Sequence, residues 1–198
     1  MKDISKELAS GDYLAFFVEP RLQLSMEKLD LDFLKELKAI CQKHDCALVV
    51  NDTGSLFSRY SEDSFLASEL IEPDAGFAYL GGQMGLCYTT EDLYLSDPLM
   101  LISTWDGDEH SFSIFAEALK GFKASSKERF KKRAEFNKQL SAYLENCEIE
   151  DYFLEGGYGW INGEVPKPLR NCLKKVGSRY LVLPEDGEMT RVLELLVS

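Results

Sequence analysis

The sequence predicts an α/β fold in two parts: a domain over residues 1–125 built on a mostly parallel sheet, and a small α+β domain over 126–198. Three observations carry that expectation. Tyr13–Val18 (YLAFFV) and Ala47–Val50 (ALVV) are short, unbroken apolar runs ended by polar turn formers, Glu19-Pro20 in one case and Asn51-Asp52-Thr53-Gly54 in the other. Such runs are the mark of strands buried in a parallel sheet. Between them lies a helical stretch, so the three segments form a strand–helix–strand unit with a right-handed crossover. From Leu154 onward the pattern changes to short, glycine-punctuated strand runs. In open α/β sheets ligands bind outside the carboxyl ends of the strands, which makes Asn51 and Asp52 the first candidate site residues.

The elements follow in order. Residues 3–10 read as the end of a helix closed by Ser10-Gly11. Asp30–His44 places Phe33, Leu34, Leu37, Ile40 and Cys41 on one face, with acidic residues in the first turn where the helix dipole favours them. Ser64–Leu70 reads as a short helix, and Ala75–Leu80 and Leu86–Thr90 as strands joined through Gly81-Gly82-Gln83-Met84-Gly85. Leu99–Ser103 is a short apolar run before Thr104-Trp105-Asp106-Gly107-Asp108. His110–Asn146 is helical in pattern, first through Phe112, Phe115, Leu119 and Phe122, then through Phe130, Ala134, Leu140, Tyr143 and Leu144. Ser125-Ser126 breaks it, and the domain boundary is placed there. The basic run KERFKKR reads as a solvated face. Strand residues over Leu154–Asn162, a helix opening at Pro166–Leu169, a strand at Tyr180–Leu183 and the apolar run Val192–Val197 complete the chain.

The 198 residues suffice for one good core, or for one domain with an appendage. Thirty-four acidic against 22 basic residues give a net charge of −12, which argues against nucleic acid or an anionic membrane surface as partner. The start, MKDISKELASGD, has no apolar core of a signal peptide, and no apolar run approaches the roughly 20 residues of a membrane span. Cys41, Cys46, Cys87, Cys147 and Cys172 are scattered and odd in number, as expected of reduced, mostly buried thiols in a cytoplasmic protein. With only His44 and His110, no histidine-based metal site is expected.

The order of motifs resembles the carboxyl-terminal half of class III aminotransferases, the pyridoxal-phosphate enzymes of the ornithine, 4-aminobutyrate and lysine 6-aminotransferase type. Phe17-Val18-Glu19-Pro20 is similar to the family's V-E-P strand end, and Ala47–Arg59 (ALVVNDTGSLFSR) stands where the family has a strand ending in D-E-V-Q-T-G-x-x-R. Glu72-Pro73-Asp74 resembles its x-P-D turn, Ser103-Thr104-Trp105-Asp106-Gly107 its S-T-W-x-G segment, and Gly157-Tyr158-Gly159 its later G-x-G strand. The resemblance runs from Ala9-Ser10-Gly11-Asp12 onward and implies a partial large domain of the type I pyridoxal-phosphate-dependent transferase fold.

The family chemistry does not follow the motifs. A pyridoxal-phosphate transaminase needs a lysine for the Schiff base and an acid to hold the pyridinium nitrogen protonated. The family's lysine position, six residues after Pro73-Asp74, holds Leu80, and no lysine occurs between Lys43 and Lys120. The pyridinium aspartate falls on Asn51, which is neutral; Asp52 is adjacent but belongs to the opposite face of a strand. The glutamine expected at the cofactor's phenolic oxygen falls on Gly54, and the substrate-gripping arginine near Leu193, with Arg191 beside it. Thr104 matches the phosphate-binding threonine. The resemblance leaves the family's amino-terminal half, with its phosphate loop and ring-stacking aromatic, without a counterpart.

Each candidate has a plainer alternative. Asn51 and Asp52 are either a remnant cofactor-binding pair or turn formers at a strand end, and the turn reading is preferred. Thr104 either binds a phosphate or caps the following helix. Gly81-Gly82 lacks the spacing and lysine of a phosphate loop. Cys46 and Cys87 read as core thiols rather than nucleophiles, and Trp105 and Trp160 as core aromatics rather than interface anchors. The expectation is therefore a degenerate, non-catalytic aminotransferase-like protein acting in binding or assembly, with no catalytic residue and no cofactor. It pairs with itself or with an aminotransferase chain. The alternative is one fragment of a split pyridoxal-phosphate aminotransferase whose other chain supplies the amino-terminal half.

Overall fold

A computed structural model describes residues 1–22, 25, 27–81, 84–94, 109–156, 158–182 and 192. They divide into two units, Met1–Arg21 with Leu29–Ser126, and Leu22–Lys28 with Lys127–Ser198. Expected features at Leu99–Ser103, Thr104, Trp105, Gly157, Arg191 and Leu193 lie outside the described residues, as do the side chains of Phe112 and Phe115.

The first unit is built on a sheet of order β1-β2-β3-β4: β1 (Ala15–Val18), β2 (Ala47–Asn51), β3 (Ala75–Gly81) and β4 (Met84–Thr89). β1 and β2 run parallel in the register Ala15↔Ala47 to Val18↔Val50, β2 and β3 parallel with Val49↔Ala75, and β4 returns antiparallel to β3. The crossover from β1 to β2 carries α2 (Leu31–Lys43), whose first turn is fixed by Asp30: its carboxylate accepts the amides of Asp32 (2.8 Å) and Phe33 (3.2 Å). Leu34, Leu37 and Cys41 on α2, with Leu8 of α1 (Lys2–Leu8), pack on Leu48 and Val50. Burial pushes the Cys41 thiol up to about 11, with Cys46 beside it adding to the effect, so it is an inert core group.

The sheet is covered on this face alone. Along β2, Leu48 and Val50 are buried while Ala47, Val49 and Asn51 are only partly so. The unbroken apolar run predicted burial on both faces; half of it is observed. Cys87, expected in the core, is exposed for the same reason, because its position on β4 pairs with Phe77 on the open face. Asp74 ties the amino ends of the strands together, accepting from the Lys38 ammonium at 2.7 Å and the Leu48 amide at 2.8 Å. Burial raises its pKa, but these donors outweigh burial and hold the carboxyl below its ordinary range.

Two helices differ from expectation. α3 spans only Ser68–Ile71 rather than Ser64–Leu70, because backbone amides at its start are held by a side chain from the end of β2. The predicted long helix is two, α4 (Glu109–Ala124) and α5 (Ser126–Asn146). Leu119 and Phe122 of α4 pack with Leu56, Phe65 and Ala78.

The second unit sets α5 with an antiparallel sheet of order β5-β6-β8-β7: β5 (Tyr152–Glu155), β6 (Tyr158–Asn162), β7 (Lys174–Val176) and β8 (Arg179–Val182). A short helix, α6 (Lys167–Arg170), precedes β7. The buried stripe of α5 is Arg133, Phe136, Leu140 and Leu144, packed with Ile161, Val165 and Tyr180. Ala134, expected in that stripe, is exposed, and Arg133 is not on the solvated face assigned to KERFKKR. Its guanidinium lies 5.7 Å from the centre of the Tyr158 ring, a cation–π contact that offsets the burial. Gly159 is required: a Cβ there would stand 1.7 Å from the Phe153 carbonyl oxygen. Among the described residues, no helix is long and apolar enough to cross a membrane.

Candidate functional site

The carboxyl ends of β1 and β2 bring Glu19 and Asn51 together. The Asn51 amide nitrogen donates to Glu19 Oε1 at 3.1 Å, and its Oδ1 accepts from the Thr53 backbone amide at 3.0 Å. The second contact is the turn that the sequence suggested. It also fixes the amide's orientation, since the Thr53 N–H can only donate and the Glu19 carboxylate accepts. Thr53 Oγ1 in turn accepts from the Tyr79 amide at 3.0 Å.

Asn51→Asp therefore places a carboxylate against Glu19 while keeping the turn. The expected cost at neutral pH is about 1–2 kcal/mol from the lost donor and like-charge repulsion. That deficit shrinks as the pH falls through about 4, where one of the pair takes up a proton. Denaturant unfolding of both proteins at pH 7 and pH 4 checks it, and an equal deficit at both pH values contradicts it.

Asp52 points to the opposite face and is fully buried. Its carboxylate accepts from the amides of Ala67 (2.9 Å) and Ser68 (3.4 Å), from the Tyr88 hydroxyl (2.6 Å), and from the hydroxyls of Ser55 and Ser68. Five donors leave it no capacity for a ligand. It is an internal anchor, joining the end of β2 to the start of α3 and to β4. Burial, then the Asp52 hydrogen bond, drives the Tyr88 phenol far above its usual range, so that hydroxyl remains a donor at any working pH. Gly76 is what admits the Tyr88 ring, because a Cβ there would lie 2.0 Å from the hydroxyl oxygen.

Gly54 is closed off by backbone. A Cβ on it would stand 2.1 Å from the carbonyl oxygen of Arg21. Arg21 itself is 2% exposed, and its Nε donates to the Arg59 carbonyl at 3.0 Å. Sequence reasoning missed Arg21, since an arginine following Glu-Pro reads as a solvated loop residue. Leu80 falls within β3, with its side chain outside the described part, and Thr104 lies outside the described residues altogether. Asn51 and Asp52, paired in sequence, are thus divided between the two faces of the sheet.

A groove of about 410 Å³ lies at the other end of the strands, lined by Leu14, Asp45, Cys46, Asp74, Asp92 and Leu93 among others. It is at the amino ends of β1 to β3, away from Asn51. No group of three or more potential metal ligands occurs among the described residues.

No protein-family model matches the chain, and comparison with curated protein sequences gives no match. Solved structures do match. An ornithine aminotransferase from Plasmodium yoelii superposes with a TM-score of 0.77 at 19% identity, over 99% of this chain and 59% of that one. The ornithine aminotransferase from Toxoplasma gondii gives 0.76 at 17% identity, covering 98% and 53%. The N-acetylornithine aminotransferase from Stenotrophomonas maltophilia gives 0.73 at 15%, covering 98% and 58%. At these identities the shared property is the fold: the chain has part of the aminotransferase fold and spans between 53% and 59% of the length of these enzymes.

Proposed function

We propose that this chain is a non-catalytic protein of aminotransferase fold that acts by binding or assembly rather than by transamination. The observation that carries the reading is the chemistry at the carboxyl ends of β1 and β2, where the residues present do not fit pyridoxal phosphate. The position resembling the pyridinium aspartate is a neutral amide already held by Glu19 and Thr53. The only nearby carboxylate in the motif, Asp52, is buried and committed to five donors. The position resembling the cofactor-contacting glutamine is Gly54, with no room for a side chain beneath the Arg21 carbonyl. Leu80 stands at the lysine position, and the nearest lysines in sequence are Lys43 and Lys120.

Incubation with pyridoxal phosphate followed by borohydride reduction and intact-mass measurement tests the reading. The expected result is no single-site stoichiometric adduct and no cofactor absorbance in the purified protein. One lysine labelled to completion overturns it.

A second reading is favoured by the partial span relative to the matched enzymes. In it the chain is one subunit of a split aminotransferase, and the other polypeptide supplies the remaining half with the lysine. Borohydride labelling then falls on a companion chain rather than on this one.

A further inference from the structure

We propose that the open face of the β1–β4 sheet is a docking surface for a separate polypeptide that supplies the complementary part of an aminotransferase-type domain. The inference rests on the association that both readings above share. The face is formed by alternate strand residues, among them Ala15 and Phe17 of β1, Ala47 and Val49 of β2, and Ala75 and Phe77 of β3, which the registers set side by side. None of these is buried, and Phe17 is 67% exposed. The opposite face of the same strands carries the core of the unit.

Strands covered by helices on one side only alternate between apolar and polar residues, whereas AFFV and ALVV are apolar throughout, the pattern of strands covered on both sides. The sequence is thus written for a second layer that the described residues do not provide. The edge of the sheet points the same way. Among the described residues β1 pairs with β2 alone. The Leu14 carbonyl accepts from the Ala47 amide at 2.9 Å, which phases the ladder so that Phe16 and Val18 bond toward β2 and the amides of Ala15 and Phe17 face outward. Leu14, 90% exposed, continues the apolar strip at that edge. An open edge beside an uncovered apolar face accepts a strand together with the layer attached to it.

Two arguments choose the occupant. The matched enzymes align over 98–99% of this chain yet leave about two fifths or more of their own length without a counterpart in it. A partner shaped like that remainder fits both the face and the edge, because strand addition and helical cover come from one contiguous body. A second copy fits less well: it brings its own net charge of −12 against −12, and like charge opposes association.

The test is to purify the tagged protein from the cells it comes from, identify and size every co-purifying chain, and compare wild type with Phe17→Asp. The expected result is one stoichiometric companion whose sequence aligns with the part of the ornithine aminotransferases that this chain lacks. Phe17→Asp weakens its retention at least tenfold, and the companion protects the amides of Ala15 and Phe17 from hydrogen exchange. Because Phe17 is exposed, the isolated variant melts as wild type does, which separates lost docking from lost folding. A homodimer, a single longer chain carrying both parts, a monomer without companion, or a companion indifferent to Phe17→Asp each overturn the proposal. Failure is distinguishable from that of the functional reading: a stoichiometric lysine adduct on this chain overturns the reading and leaves the docking result standing, and a monomer without adduct does the reverse.

Discussion

Asp52→Ala is expected to destabilise the first unit by about 3–5 kcal/mol, since each buried donor left unsatisfied costs about 1–3 kcal/mol and several are left at once. The donors are the amides of Ala67 and Ser68 and the hydroxyls of Ser55, Ser68 and Tyr88. Some of that cost is recovered by water entering the space, which is why the figure lies below the sum of five losses. A typical domain has only about 5–15 kcal/mol in hand, so the variant is on the verge of unfolding at room temperature. Urea unfolding followed by circular dichroism, with an unchanged m-value, measures the loss. Asp52→Asn does little better, because its amide would turn donors toward donors. A midpoint within about 1 kcal/mol of wild type would mean that the carboxylate is no anchor, and would return Asp52 to the list of ligand-binding candidates.

The Asp52 network also marks the limit of what the sequence tells. The strand–helix–strand unit was legible because its signals are local: apolar runs of strand length, a helical period, and Asp30 placed to cap the helix. The turn at Asn51 was legible for the same reason. The partners of Asp52 were not, since Ala67 and Tyr88 lie 15 and 36 residues away and only the folded chain brings them to one point. Arg133 and Phe136 were misjudged on α5 because Ala134 sits between them and satisfies an apolar pattern equally well on paper. A small side chain does not declare its face; the larger Phe136 decides which stripe is buried. β7 escaped notice because KKV is exposed throughout and pairs only by its backbone. Position in the sheet, not residue type, exposed Cys87. That same one-sided cover explains why AFFV and ALVV promised more burial than the strands have.

Gly54→Gln, the change toward the residue that the family motif carries, is expected to cost about 3 kcal/mol, at the upper end of ordinary overpacking. The obstacle is backbone rather than side chain: the new Cβ stands 2.1 Å from the Arg21 carbonyl oxygen and 3.1 Å from its carbon. No rotamer relieves a clash at Cβ, so Gly54→Ala should lose nearly as much as Gly54→Gln. The two midpoints measured side by side are the check, and a well-tolerated alanine beside a damaging glutamine would locate the conflict further out along the side chain. Relief requires the chain at Arg21 to retreat, yet the Arg21 guanidinium holds the Arg59 carbonyl and the preceding Pro20 carbonyl accepts the Leu29 amide at 2.8 Å. The strain would therefore spread into the entry to α2. It follows that restoring family residues one at a time at Asn51, Gly54 and Leu80 lowers stability before it restores any cofactor contact. The site has been repacked around its present residues, and the route back to cofactor binding runs through the backbone of Arg21.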